Sequence, residues 1–242
     1  MMIEAKKNKM FQEVFSMYTN LLLRKTFNGI HIKGEENFLN RDKNIPSVIF
    51  LNHSNWWDAI IPFYLSYSVW NVDGYAFMDF KQLQKYKFFR RIGVFSVDRE
   101  SGRESMKSLG YALELLKNKD TVLWIFPQGE LLHWNVRPVV FEHGLSYMLS
   151  KCGKINLIPA AVNYEFLMEQ RPEIFISVSE PVNPDNAIPR RVMSENLSGI
   201  MEKMLDEQKS VIVSGNTGGY RTLMKGKKSK NKILDRISDD ID

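Results

Sequence analysis

The chain of 242 residues holds a single cysteine, Cys152. No disulfide can form within it, and a reducing, intracellular setting is expected. Long hydrophobic runs are also missing. The longest apolar stretch, Ala59 to Trp70, is broken by serines and a proline. Nothing reaches the ~18–20 residues that a membrane-spanning helix needs. The first residues carry Glu4 and several lysines but no apolar segment with a cleavage site, so no secretory signal is expected. No Gly/Ser- or Pro-rich linker divides the chain, which argues for one α/β domain with terminal additions. Among the 4 histidines, His133 and His143 lack a cysteine or second carboxylate at ligand spacing, so no metal site is expected. The net charge of +5 is modest and favours anionic partners. No nucleic-acid motif accompanies it, and the aromatics sit in apolar runs rather than between exposed arginines. A membrane surface and a coenzyme phosphate fit better.

What is present centres on residues 48–58. The apolar run Val48, Ile49, Phe50, Leu51 stops at Asn52-His53-Ser54-Asn55, and a second apolar stretch begins at Trp56 with Asp58 near its start. A buried strand ending in a short loop that feeds a helix has this pattern. In open α/β sheets the crevice beyond the strand ends is where ligands bind. His53 falls in the loop, and Asp58 in the first turns of the helix can reach back to the imidazole. A neutral imidazole takes a proton near pH 7, and a carboxylate on its other nitrogen fixes the tautomer and stabilises the imidazolium. This is the base and orienter of a triad without a protein nucleophile, a place that a substrate hydroxyl can fill. The plainer reading of the same spacing is a helix cap at Ser54 or Asn55 beside a satisfied histidine.

The block Asn52-His53-Ser54-Asn55-Trp56-Trp57-Asp58 resembles the N-H-x-S-x-x-D block of the glycerolipid acyltransferases, the lysophosphatidic acid acyltransferase family, in its H-x-x-x-x-D core; the serine is shifted by one place. Gly93-Val94-Phe95-Ser96-Val97-Asp98-Arg99 resembles the second family block. Phe126-Pro127-Gln128-Gly129-Glu130 resembles the third, F-P-E-G-T-R, and Ile158-Pro159-Ala160-Ala161-Val162 the fourth. The four stand in the family's order over roughly residues 45–165.

The other segments are read from periodicity. Residues 8–24 predict an amphipathic helix, with Met10, Phe11, Val14, Phe15, Tyr18, Leu21 and Leu22 between basic flanks. Such a helix either packs on the core or lies in a membrane interface. Strands are expected over 29–33, 74–78, 94–97, 121–126, 156–164 and 173–179, and a loop over 35–44. An apolar helix with Pro62 inside it should follow His53, and further helices are expected over 101–117, from 141 to 149, and over 191–209. Residues 79–91 mix aromatics with Lys81, Lys85, Lys87, Arg90 and Arg91, as an interfacial segment would. The domain scheme is a membrane-associating helix over 1–27, a catalytic domain over 28–213 and a basic tail over 214–242, solvated or resting on anionic lipid.

Strand–helix alternation predicts an α/β fold with a mixed, mostly parallel sheet flanked by helices. The resemblance implies the same fold and O-acyl transfer from an acyl thioester, acyl-CoA or acyl-ACP, to a hydroxyl of a lipid acceptor. Both donors are co-substrates, and no tightly bound cofactor is expected. His53 and Asp58 carry the chemistry. Asn52, Asp98, Arg99, Phe126, Pro127, Gln128, Gly129, Glu130 and Arg137 are the substrate-binding candidates. The expected partners are the thioester donor, the acceptor, an anionic membrane surface reached peripherally from the cytoplasmic face, and acyl carrier protein. In the third block Gln128 replaces the family's Glu, and Glu130-Leu131 replaces Thr-Arg. Losing that Arg removes a bidentate phosphate partner, so a neutral glycosylated lipid or terpenoid stands beside a glycerol-phosphate acceptor. A thioester or lipid hydrolase using the same pair, and a non-catalytic lipid-binding protein, are the readings from other classes.

Overall fold

Strand β2 (Ser47–Leu51) is buried along its whole length because it lies inside a sheet covered on both faces. The computed structural model describes residues 2–184 and 187–227. The other strands are β1 (Gly29–Lys33), β3 (Asp73–Asp79), β4 (Val94–Val97), β5 (Thr121–Ile125), β6 (Asn156–Glu165), β7 (Glu173–Val178) and β8 (Arg221–Lys225). They form one sheet of 8 strands in the order β4-β3-β5-β2-β6-β7-β1-β8. From β4 across to β6 every pairing is parallel, while β7 runs antiparallel to β6 and β8 antiparallel to β1. The carboxyl ends of β2, β4, β5 and β6 therefore open onto one edge of the sheet, and the four sequence blocks meet there.

Period-two alternation sorts the strand side chains into two cores. On one face Ile49, Leu51, Val122, Trp124, Ile158, Ala160 and Val162 pack under Leu23, Phe27, Phe38, Ile60, Ile61, Tyr64 and Leu65. These come partly from helices α1 (Lys9–Thr26) and α2 (Glu35–Leu39), the second lying where a loop was expected. On the other face Val48, Phe50, Leu123, Ile125, Leu157 and Ala161 pack under α5 (Gly102–Leu115), α6 (Gly144–Leu149) and α7 (Arg190–Val213). Two further helices complete the order, α3 (Ile61–Phe63) and α4 (Phe80–Lys85).

The expected helix after His53 is broken into three. A 3₁₀ turn (Trp56–Ala59) leads to α3, where Pro62 sits in the first turn and forgoes no helical hydrogen bond, and a π-helical turn (Tyr64–Val69) follows. The π turn places Ser66 Oγ 2.8 Å from Trp124 Nε1, which donates to it, and Trp70 stacks on Trp124.

Residues 79–91 fold as α4 and a 3₁₀ helix (Lys87–Ile92), with Lys81, Lys85, Tyr86, Lys87, Phe88 and Arg91 exposed. Leu83, Phe89 and Ile92 are buried, and Phe15 of α1 packs edge-on against Phe63 and Phe89. Arg90 donates to the carbonyl of Glu4, and Arg91 lies over Phe11. Through these contacts the segment also seats the N-terminal residues and α1. Residues 2–8 run beside it and along β4: the backbone N–H of Ser96 donates to the carbonyl of Ile3, and that of Lys6 to the carbonyl of Arg90. They cover a sheet edge that would otherwise be open.

The expected tail from 214 is in part a structural element. Residues Arg221–Lys225 form β8 on β1, with Met224 buried, after a 3₁₀ turn (Thr217–Gly219). The rest of that segment, from 228 onward, lies outside the described residues.

Candidate active site

Asn52 begins the loop that leaves β2. Its side chain donates from Nδ2 to the carbonyl of Val162 (2.9 Å) and accepts through Oδ1 from the N–H of Val162 (2.8 Å). This extends the β2–β6 ladder by one rung in side-chain form. Asn52 is buried, so its amide locks the loop to β6 and is not presented to a substrate. His53 follows at once. The N–H of His53 donates to Gln128 Oε1 (2.7 Å), and its carbonyl accepts from the N–H of Leu132 (2.9 Å). The loops after β2 and β5 thus fix each other, and Gln128 commits its carbonyl to the backbone of His53.

The imidazole Nδ1 of His53 lies 3.0 Å from Asp58 Oδ2. The same carboxylate oxygen accepts from the N–H of Ser54 (2.7 Å) and of Asn55 (2.8 Å). Asn55 in turn accepts through its side chain from the N–H of Trp57 (3.2 Å), closing a capping box over the 3₁₀ turn. The helix cap read from this spacing is present, and the same carboxylate contacts the imidazole. Asp58 caps the turn and orients His53 with one oxygen.

The other oxygen, Oδ1, accepts from the phenol of Tyr164 at 2.6 Å. Burial, followed by the charge of Asp58, pushes that phenol well above its ordinary range, so it stays protonated and donates. Sequence reasoning stopped the fourth block at Val162 and missed Tyr164. The signal was available: Tyr164 continues the inward alternation of Ile158, Ala160 and Val162 past the point where β2 ends. Phe27 stands edge-on to Trp57 and 6.0 Å from the Tyr164 ring, so the C-terminal end of α1 packs against this corner.

His53 is partly exposed, with 23 % of its side chain open against 1 % for Asp58. Its ring lies against Phe126, centroids 4.4 Å apart. Nδ1 is turned to Asp58, and among the described residues Nε2 has no hydrogen-bond partner. Such an arrangement can take a proton at Nε2 while the buried carboxylate balances the imidazolium.

The remaining candidates divide. Pro127 accepts from the N–H of Glu142, and Gly129 turns the loop with φ +74°, its N–H donating to the carbonyl of Phe126. Arg99 lies against this turn: a Cβ on Gly129 would stand 2.7 Å from Arg99 Nη1. Blocks two and three are therefore in contact, and an exposed guanidinium sits on the Phe126–Glu130 loop, with Glu130 exposed beside it. Asp98 accepts from the N–H of Glu100 and, through its carbonyl, from Ser105 Oγ, so it organises its own turn. Arg137 is committed elsewhere. Its guanidinium donates to Asp206 on α7 (2.6 Å) and to the carbonyls of Trp134 and Val136, pinning the long loop after β5. His31 lies between Phe175 and Thr222, and His143 meets Ser194. No group of three His, Cys, Asp or Glu suited to a metal occurs among the described residues.

Residues 29–163 match the family model described as Acyltransferase. The chain is 24% identical over 132 residues to the 1-acyl-sn-glycerol-3-phosphate acyltransferase of Saccharomyces cerevisiae, covering 51% of this chain and 43% of that protein. It thus spans less than half the length of that relative. Its fold is similar to the crystal structure of the 1-acyl-sn-glycerophosphate acyltransferase PlsC from Thermotoga maritima, with a TM-score of 0.55 at 16% identity, covering 84% of this chain and 79% of that one. With the family model spanning β1 to β6 and all four blocks gathered at one sheet edge, the chain belongs to the glycerolipid acyltransferase family.

Proposed function

We propose that this protein transfers a fatty acyl group from an acyl thioester, acyl-CoA or acyl-ACP, to a hydroxyl of a glycerol-phosphate type lipid. The observation that carries it is the His53–Asp58 pair, buried on its carboxylate side and open at Nε2. His53 Nε2 takes the acceptor's hydroxyl proton as that oxygen attacks the thioester carbonyl. The tetrahedral intermediate then expels the thiolate, which takes the proton back from the imidazolium. An ester and a free thiol leave, and His53 is again neutral. Asp58 holds Nδ1–H and offsets the transient positive charge.

Arg99 favours the phosphorylated acceptor. Leu131 stands where the family motif has its Arg, and Arg137 is held by Asp206. Arg99 on the Gly129 turn is a cation within the same loop cluster and can pair with a phosphate as Glu130 cannot. The test is thiol release and acyl transfer measured over lysophosphatidic acid, other lysophospholipids and neutral glycosylated lipids. Lysophosphatidic acid should be acylated, and Arg99→Gln should raise its KM while leaving neutral acceptors unaffected. Thiol release that ignores the acceptor would identify a hydrolase. Preference for a neutral acceptor would remove Arg99 from the scheme.

The reading includes a peripheral position on an anionic membrane surface. No helix among the described residues is long and apolar enough to cross a membrane. Helix α1 nevertheless turns Met10, Val14, Met17, Tyr18 and Leu21 outward, each more than half exposed. This stripe is backed by Arg24 and Lys25 in the last turn, and it supports interfacial docking.

A further inference from the structure

We propose that Tyr164 is a third, positioning member of the His53–Asp58 relay, holding the orienting carboxylate in place and ionised by donating to its far oxygen. The proposal rests on the reading of His53 as the general base. Asp58 is 1 % exposed, and its two oxygens share their donors unevenly. Oδ2 takes the three donors of the loop, His53 Nδ1 and the N–H groups of Ser54 and Asn55. Oδ1 takes the Tyr164 phenol at 2.6 Å. Without that phenol the carboxylate would have to hold its charge in a buried place with one oxygen unserved, and a hydrogen bond to the charged form is what favours that form. The carboxylate is also left free to turn about its Cβ–Cγ bond. Rotation would move Oδ2 off the imidazole and off both backbone amides together.

The fold delivers Tyr164 for this contact. Beyond Leu51 the strand β2 ends, but β6 continues, tied to the catalytic loop through Asn52 and Val162. Two residues on, Tyr164 points to the same face, with Phe27 and Trp57 beside it. The other ionisable groups here are Glu165 on β6, which accepts from Asn163, and Glu173 on β7, which accepts from Asn28 and lies beside His31. Neither replaces the phenol as a donor. The proton of this phenol is committed to the carboxylate it serves, so it is not given to the reaction.

The test compares Tyr164→Phe, Phe27→Leu and His53→Ala in steady-state acyl transfer across pH. Tyr164→Phe should lower kcat by about 10- to 100-fold with the KM of donor and acceptor little changed. It should also move the acid limb of kcat/KM to higher pH. An undonated carboxylate is protonated more readily, and one relieved of a donor holds the imidazolium more tightly; both effects push the limb the same way. Phe27→Leu removes packing from the same ring without removing a donor. It should lower thermal stability and leave the acid limb where it is. A loss of folded protein scales the rate at every pH and does not shift the limb, so the limb decides the matter even where Tyr164→Phe folds less well. A Tyr164→Phe enzyme with the parent's kcat and acid limb overturns the proposal. Substantial transfer by His53→Ala would instead overturn the general-base reading beneath it.

Discussion

Asp58 receives four donors through two oxygens, and this explains how one side chain can serve folding and chemistry together. In Asp58→Asn the amide nitrogen can face only one of the two sets. Turned to the loop it would oppose three donors; turned to Tyr164 it meets a hydroxyl that can rotate and accept. The loop should therefore survive while the charge is lost. Transfer should fall by about 10³–10⁴-fold, with the thermal midpoint shifting by only a few degrees, about the size expected for one altered hydrogen bond. Activity close to the parent's would show that the imidazole needs no carboxylate. His53→Ala should abolish transfer and leave the circular dichroism spectrum intact, since His53 anchors the loop through its backbone and not its ring. Gln128 gives a finer test. Its carbonyl oxygen accepts the His53 N–H, a task that a carboxylate performs equally well. Gln128→Glu should keep most activity, and Gln128→Ala should lose about tenfold or more in kcat by freeing the loop. Equal activity of the two variants would place no weight on that bond. Gly129→Ala would put a methyl 2.7 Å from Arg99 Nη1 at a φ of +74°, so the guanidinium must move. The KM for a phosphorylated acceptor should rise more than that for a neutral one; an equal rise would show that Arg99 does not read the phosphate.

At the scale of elements, the strands were the most legible part of the sequence. β1 and β4 fall where alternation and apolar runs predict, β2 and β5 stop within a residue or so of the polar or proline-marked turns that follow them, and β6 ends one residue beyond its expected bound. The stop of β2 is also where the proposed catalytic pair lies, so the His53 and Asp58 positions could be read before any geometry. Less legible was whatever depended on contacts between distant segments. The stretch after His53 is apolar on all sides, and periodicity cannot tell one helix from a 3₁₀ turn, a short α-helix and a π turn in succession. Ser66 and Trp124 settle its shape, 58 positions apart. Of the cations in residues 79–91, Arg90 and Arg91 meet the N-terminal residues and α1, contacts that periodicity does not show, while Lys81, Lys85 and Lys87 stay exposed. β8 was hidden for a similar reason. Arg221 to Lys225 carries two cations and little alternation, and it becomes a strand because β1 offers an edge and Arg221 finds Glu35. Tyr164 belongs to the same class. A tyrosine ending an apolar strand has many uses, and only the register of β6 on β2 brings its phenol to Asp58.

Two properties belong to the whole molecule. The first is its response to alkali. Burial raises Tyr64, Tyr75, Tyr111 and Tyr164 above the ordinary value of 10.0, Tyr75 to about 12. A group whose pKa is higher in the folded state contributes stability that is complete below its unfolded pKa and is lost as pH rises towards the folded one. These phenols sit in the π turn, β3, α5 and β6, so the loss is distributed through the fold. The thermal midpoint should hold up to about pH 10 and fall steeply above it; a flat midpoint to pH 12 would show that these phenols titrate as in the unfolded chain. The second property is orientation. The outward stripe of α1 is 74% exposed at Met10, 68% at Met17 and 64% at Leu21. The same helix ends at Phe27, which packs on Trp57 beside the His53 loop. Loop residues Phe166, Leu167 and Met168, after Tyr164, are exposed, and the Arg171 that follows donates to the carbonyls of Arg24 and Lys25 at the end of α1. The end of α1 and this loop are therefore tied together, and α1 meets the His53–Asp58 turn through Phe27 and Trp57. Replacing Met17 and Leu21 together with Gln should weaken binding to anionic vesicles about tenfold or more, given ~1.5–3 kcal/mol for each large apolar side chain withdrawn from water. Neither side chain is buried in the fold, so the thermal midpoint should not change, and turnover of a water-soluble short-chain acceptor should be unaffected. Turnover of vesicle-borne acceptor should fall with the binding. Unchanged vesicle binding would mean that the stripe faces another protein surface, and α1 would then orient the His53–Asp58 turn towards that partner instead.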